Sequence, residues 1–141
     1  MHTVYLILYG DPTPKGRARI FRDKASNIRS KTPDKTASAE QACIAAFIQS
    51  GQAAFPPGTP LEITVTAHLA RPASAPKKRF RPITRPDADN IYKLVTDALE
   101  KLAYDADSRI VDAHIHKHYA IYPDPPRTEI TIIEANRVNY P

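Results

Sequence analysis

One amphipathic segment, residues 89–103, limits the folds that are open to this chain. Its apolar residues recur at the spacing of an α-helix, so they share one face, and its charged residues lie opposite. A helix of this kind has to bury its apolar face against another element. The apolar face consists of Ile91, Leu94, Val95, Ala98 and Leu102, and the opposite face carries Asp89, Lys93, Asp97 and Glu100.

Strand patterns flank that helix on both sides. The segment 61–69 alternates apolar and polar residues, and strands are also predicted over 3–9, 110–119 and 127–134. A short strand is predicted over 17–21, and Asp34 or Thr36 is predicted to cap a second helix that ends near residue 50. The order β(β)αβαββ predicts an α+β fold, a mixed sheet with two main helices packed on it, in a single domain over residues 1–141.

Composition excludes several classes of protein. The single cysteine, Cys43, excludes an intrachain disulfide, and we expect a buried thiol in a reducing compartment. No apolar run approaches the ~20 residues that span a membrane. The first nine residues lack the charged lead-in of a signal peptide. We therefore expect a cytoplasmic protein without a membrane partner.

The placement of charge is more informative than the net charge of +5 at pH 7. Residues 15–35 contain eight Lys or Arg and two acids, residues 71–85 contain six and none, and residues 87–112 contain seven acids and three basic residues. This pattern predicts a polyanion held around a cation site, although a solvated surface explains a single basic run equally well. The residues expected to contact DNA phosphates are Lys15, Arg17, Arg19, Lys77, Lys78, Arg79, Arg81 and Arg85.

Two pairs of aspartates, each two residues apart, stand in Arg85-Pro-Asp-Ala-Asp-Asn-Ile-Tyr-Lys93 and Tyr104-Asp-Ala-Asp-Ser108. Residues two apart in an extended chain point to the same side, so Asp87 and Asp89 are predicted to converge. Lys93 then lies one helical turn beyond Asp89. A single Asp-x-Asp is a weak signal, because helix capping or solvation explains most such pairs.

Asp107 joins this site if the fold brings the turn after the helix beside the first pair. Three carboxylates without His or Cys favour Mg²⁺, with Mn²⁺ as a substitute. Such an ion activates water and neutralises charge on a phosphate, and Lys93 adds a fixed positive charge.

These motifs resemble the RusA-type Holliday junction resolvases of bacteria and their prophages. Over residues 85–111 the likeness comprises basic residues, Asp-x-Asp-Asn, a lysine three residues later, Asp-Ala-Leu within the helix, and an acid before Ser. The opening Gly10-Asp-Pro-Thr-Pro-Lys-Gly-Arg-Ala-Arg19 is similar to the Gly-x-Pro-x-Pro-Lys-Gly-Arg-x-Arg start of many phage-type members, and Lys31-Thr-Pro fits their next segment.

The resemblance implies a Mg²⁺-dependent endodeoxyribonuclease that resolves four-way DNA junctions by paired symmetric nicks, in recombination and repair. It implies that Asp87, Asp89 and Asp107 bind the metal, and that these acids and Lys93 are catalytic. It also implies a homodimer with branched DNA as its partner. The dimer agrees with one acidic cluster in each chain and two nicks in each junction.

One departure from the family pattern leaves an alternative open. Many members carry two adjacent acids before the Ser-type residue, whereas here they are split as Asp105-Ala-Asp107. Counting back from Ser108 assigns the role to Asp107, and Asp105 stays open as a substitute.

Two further alternatives concern function. A non-catalytic or degenerate nucleic-acid-binding module also fits the basic segments, with the acids only solvating a helix end. His114, His116 and His118 alternate on a predicted strand, which favours a polar or DNA-facing sheet surface over a transition-metal site.

Overall fold

The computed structural model describes residues 2–141 and contains six strands and two α-helices over that range. In chain order they are β1 (Thr3–Tyr9), β2 (Arg19–Arg22), β3 (Ile28–Lys31), α1 (Asp34–Ser50), β4 (Leu61–Leu69), α2 (Ala88–Leu99), β5 (Ile110–Tyr119) and β6 (Arg127–Glu134). A 3₁₀ turn over Asp107–Arg109 precedes β5. The two helices pack on a mixed four-stranded sheet, which confirms the predicted α+β fold.

The strand order of the main sheet is β1-β6-β4-β5. The β4–β5 pair is parallel, and the other two pairs are antiparallel. Parallel neighbours require a crossover connection, and α2 lies in the crossover between β4 and β5. The N-terminus of α2 therefore lies near the carboxyl end of β4, where Leu69 and Asp87 line the same groove.

The helices bury one face of the sheet. Alternate residues of β4 are buried and those between them are half-buried, as the alternation predicts. α2 adds Ile91, Val95 and Leu99 to this core, and burying each such side chain stabilises the fold by ~1.5–3 kcal/mol. Cys43 on α1 is fully buried, as expected, and burial raises the pKa of its thiol to about 12. Within residues 2–141, neither helix is long and apolar enough to cross a membrane.

Two predicted helix boundaries are wrong. α2 ends at Leu99 instead of residue 103, because Lys101 adopts a left-handed conformation with φ 66° and its N–H donates to the Tyr104 carbonyl at 2.7 Å. Ala103 is still fully buried, so the turn continues the apolar pattern without being helical. At α1 the N-cap position is Pro33, and no side chain caps the helix.

Thr36 has a different partner from the one the capping prediction requires. Its hydroxyl accepts a 2.9 Å hydrogen bond from the backbone N–H of Gly16. A Cβ atom on Gly16 would lie 2.8 Å from that hydroxyl oxygen, so a glycine is needed for the close approach. The segment before β2 is thereby fixed against the first turn of α1.

The segment after Arg17 forms a hairpin instead of a single short strand. β2 begins at Arg19, two residues later than predicted, and pairs antiparallel with β3, which was not predicted. All eight strand residues of the hairpin are exposed, including Ile20 and Ile28.

Candidate active site

The first predicted pair of acids stands at the N-terminus of α2. Asp87 is the N-cap residue with extended backbone, and its side chain makes no capping hydrogen bond. Asp89 lies in the first helical turn, as the sequence pattern predicts, so the extended-chain argument for convergence of the two side chains applies to Asp87 alone. Both side chains are exposed. Capping the helix would be the simplest structural role for an aspartate at this position, and the side chain of Asp87 does not perform it.

The five aspartates of residues 87–107 differ in whether they have a cationic partner. Over residues 2–141, none of the nine ion pairs includes Asp87, Asp89 or Asp107. By contrast, Asp97 is paired with two lysines and Asp105 with an arginine. The unpaired aspartates of this segment are therefore the three that the sequence assigned to the site.

A groove of about 840 Å³ lies at the N-terminus of α2. Asp87, Asn90 and Asp11 line it together with four basic residues, which are Lys15, Arg17, Lys35 and Arg85. Three of these four belong to the predicted DNA-contact set. The sequence analysis does not assign Lys35 to the DNA contacts, although Lys35 is the last residue of the basic segment 15–35.

The other predicted DNA contacts lie outside this groove. Arg19 lines a shallow depression on the hairpin side. The remaining four are in the connection between β4 and α2, where Arg81 contacts the ring of His118 at 3.1 Å. Three of the four, Lys77, Lys78 and Arg81, are exposed, and Arg79 is half-buried.

Lys93 follows Asp89 by one turn of α2 and is 58% exposed. Its ammonium donates to Asp97 Oδ1 at 2.8 Å, an i,i+4 ion pair within α2. The hydrogen bond and charge of Asp97 raise the pKa of Lys93, and the charge of Asp107 also contributes. Lys93 therefore stays cationic, and it lies within electrostatic range of Asp107.

Asp107 begins the 3₁₀ turn and is half-buried. Its Oδ1 accepts a 2.9 Å hydrogen bond from the Tyr104 hydroxyl, and its backbone N–H donates to Glu100 Oε2 at 2.9 Å. Burial raises the pKa of Asp107, the Tyr104 bond opposes that rise, and Glu100 adds to it. Tyr104 and Glu100 hold Asp107 in place, and neither contact was visible in the residue spacing.

Asp105 is engaged elsewhere. The guanidinium of Arg109 contacts both of its oxygens at 2.9–3.1 Å, and the Gly58 N–H adds a longer bond. The contact with Arg109 lowers the pKa of Asp105. A carboxylate neutralised in this way is less suited to bind a cation than Asp107, so the geometry favours Asp107.

The chemistry of the three acids suits Mg²⁺, although they do not form a complete metal cage. No group of three or more His, Cys, Asp or Glu side chains within residues 2–141 is arranged to hold a metal ion. Mg²⁺ is usually held by one or two carboxylates, waters and substrate phosphate, so it does not need a three-ligand protein site. Of the three acids Asp87 lines the basic groove, and within residues 2–141 none of the three has a cationic partner, which fits that mode of binding.

The histidines lie on the sheet face away from the helices. His118 is 5.9 Å from His68 and 6.2 Å from His116, measured between ring centroids. Burial, followed by the charge of Arg81, lowers the pKa of His118. None of these rings belongs to a three-ligand group within the described chain, and a polar or DNA-facing role for this sheet face stays a prediction.

Two comparisons with known proteins bear on this site. The family described as Endodeoxyribonuclease RusA matches residues 9–133, a span that includes the groove, both aspartate pairs and Lys93. A Bacillus subtilis (strain 168) protein named "Uncharacterized protein YqaN" is 30% identical over 144 residues, covering 96% of this chain and 99% of that protein.

Proposed function

The chain belongs to the RusA endodeoxyribonuclease family, and we propose that it resolves four-way DNA junctions by paired symmetric nicks that depend on Mg²⁺. The observation that supports this proposal is the contrast within the acidic segment. Within residues 2–141, Asp87, Asp89 and Asp107 have no cationic partner, whereas the neighbouring Asp97 and Asp105 do. Asp87 lines the groove together with four basic residues.

Uncompensated carboxylates weaken a site that only binds DNA, because they repel phosphate. Asp87 lines the groove together with Arg17, Lys35 and Arg85, so a phosphate held by the basic residues lies close to that carboxylate. A bound divalent cation removes the repulsion. This argument favours a metal-dependent nuclease over the non-catalytic binding module.

In the proposed mechanism Arg17, Lys35 and Arg85 bind backbone phosphates, and Asp87, Asp89 and Asp107 would hold the Mg²⁺ ion. The bound ion would supply activation of water and neutralisation of phosphate charge. Water adds to the phosphorus and loses a proton to solvent, the P–O bond to the leaving sugar oxygen breaks, and that oxygen takes up a proton from solvent, so that one strand is nicked. Lys93 stabilises the negative charge that grows on the phosphate during this step. Its exposure and its pairing with Asp97 suit this role.

The working unit in this proposal is a homodimer acting in the cytoplasm. One chain carries one such acidic cluster, and a junction requires nicks on two strands related by two-fold symmetry. A C₂ dimer supplies two sites with that symmetry.

Cleavage of a synthetic four-way junction tests the proposal. With 5′-labelled strands, we expect paired, symmetric cuts in the presence of Mg²⁺ or Mn²⁺. We expect no cuts in EDTA and no cuts in a linear duplex of the same sequence. Sedimentation at micromolar concentration, with and without junction, should show a dimer. If the protein binds the junction but cuts it in neither Mg²⁺ nor Mn²⁺, the result supports the binding module instead. Single nicks by a monomer indicate a different structure-selective nuclease.

A further inference from the structure

Two lysines and two carboxylates form a cluster beside the acidic site and join three parts of the chain. Lys15 lies in the segment before β2, Glu40 on α1, and Lys93 and Asp97 on α2. The ammonium of Lys15 bonds Glu40 Oε1 and lies 3.2 Å from Asp97 Oδ2. The ammonium of Lys93 lies 2.8 Å from Asp97 Oδ1. Asp97 thus uses one oxygen for each lysine.

The members of this cluster differ in exposure. The side chains of Lys15, Glu40 and Asp97 are 22–27% exposed, whereas that of Lys93 is 58% exposed. Lys15, Glu40 and Asp97 are therefore largely covered by the protein, and Lys93 is the member that reaches solvent. Because Lys15 already holds Asp97, the pairing of Asp97 with Lys93 loses less further side-chain entropy than an isolated surface ion pair does.

Backbone contacts fix Lys15 independently of its ammonium. Its N–H donates to the Asn90 carbonyl in the first turn of α2 at 2.8 Å. The next residue, Gly16, donates to Thr36 on α1. Lys15 is therefore anchored to both helices, and its ammonium is directed at Asp97 by a rigid segment.

We propose that Asp97 is a positioning residue, which Lys15 holds in place so that its carboxylate fixes the Lys93 ammonium beside the acids. Lys15 then acts mainly through Asp97, although the sequence grouped it with the phosphate contacts. This inference deepens the proposed function and rests on it for its catalytic meaning. The contact between Asp97 and Lys93 is testable without cleavage.

Kinetics separate positioning from binding. Asp97→Asn should lower the single-turnover rate at saturating protein by about tenfold to hundredfold, the cost of a misplaced group, with junction affinity unchanged. Lys15→Ala should lower the same rate, and Lys15→Arg should restore most of it because the charge is kept. The matched control is Asp34→Asn, which removes an exposed carboxylate paired with Lys31 at 3.4 Å and should leave the rate unchanged.

The decisive kinetic result comes from combining variants. In a Lys93→Ala background, Asp97→Asn and Lys15→Ala should cost no further rate, because the group they position is gone. Equal losses with and without Lys93 overturn the proposal, as does an Asp97→Asn effect confined to affinity. Thermal unfolding of each variant identifies rate losses that come from unfolding.

An NMR measurement on the uncut protein decides the positioning contact separately from the proposed function. With ¹⁵N-labelled lysine, the Lys93 ammonium of the wild-type protein should be more ordered than that of Lys24, and Asp97→Asn should remove the difference. A wild-type Lys93 as mobile as Lys24 overturns the inference. If the ordering is found but no junction is cut, the proposed function fails while the positioning contact stands.

Discussion

The two halves of α2 hold their acidic residues in opposite ways. At its N-terminus Asp87 and Asp89 are exposed and make no ion pair with any residue of the described range 2–141, and Asp87 makes no capping hydrogen bond there. In its second half Asp97 is bound by two lysines. Paired acids stabilise a fold, and unpaired acids at one point repel one another unless a cation is added. Asp97 is therefore held in ion pairs within the fold, whereas Asp87 and Asp89 are the acids to which we propose a ligand-binding role.

The largest effect that we expect from changing an unpaired acid is on cleavage. Asp89→Asn should reduce junction cutting in Mg²⁺ by at least about a hundredfold, because it removes a charged group from the transition-state environment. Junction affinity should stay the same or rise, since a carboxylate no longer repels phosphate. Gel-based cleavage and binding assays measure both, with Asp124→Asn in the exposed turn before β6 as control. Full cutting by Asp89→Asn would refute the assignment.

The basic groove should account for the salt dependence of binding. Replacing Arg17, Lys35 and Arg85 by alanine should weaken junction binding and reduce the slope of log affinity against log salt by about 0.9 for each phosphate that the variant no longer neutralises. The same experiment on Lys77 and Lys78 tests the second basic segment, which we also expect to contact phosphate. An unchanged slope in the groove variant shows that these residues do not contact the backbone.

Opposite pKa shifts predict opposite effects on stability. The pKa of Asp97 is lowered from 3.8, so its ionised form contributes stability above pH 3.8, and this is lost as the pH falls through the folded pKa. The pKa of Asp107 is raised from 3.8, so its contribution is complete below pH 3.8 and is lost as the pH rises through the folded pKa.

At pH 7 in metal-free buffer, Asp97→Asn should therefore lower the free energy of unfolding by about 1 kcal/mol or less, and Asp107→Asn should raise it. Denaturant titrations measure both values, and the two differences should shrink toward pH 3. Changes of the same sign at pH 7 contradict the division between paired and unpaired acids.

The smallest expected effect concerns Asp105. Because Arg109 already occupies both of its oxygens, Asp105→Asn should leave the cleavage rate close to that of the wild-type protein. A decrease as large as that of Asp107→Asn would give Asp105 the role that the split motif left open. Parallel single-turnover assays of the two variants decide between them.

The strands were predictable where a long alternating pattern met one buried face. β4 and β6, with nine and eight residues, alternate buried and half-buried positions and have the predicted bounds. β5 also has its predicted ten residues, although none of them is buried. The end of α2 was not predictable from periodicity, because Leu102 and Ala103 stay apolar while the left-handed Lys101 has already ended the helix. The exposed β3 has no apolar face to mark it.

The roles of the site residues stay predictions, and the contacts around them were only partly predictable. The acidic segment stands out in the sequence because Asp87, Asp89 and Lys93 follow one another at the start of one helix. The contacts of Lys15 with Asp97, and of Gly16 with Thr36, join residues far apart in the chain. The spacing of residues along the chain does not reveal such pairs. The sequence therefore places Lys15 among the phosphate contacts on the basis of its charge alone.

Mn²⁺ binding measured by electron paramagnetic resonance tests most directly whether the unpaired acids serve to hold a cation. The protein is bound to a four-way junction in a Lys93→Ala background, so that cutting is slow and the junction stays intact. Bound Mn²⁺ should be present in this protein and in its Asp105→Asn derivative, and absent from its Asp89→Asn derivative. Undiminished Mn²⁺ binding by the Asp89→Asn derivative would show that Asp89 does not help to hold the cation.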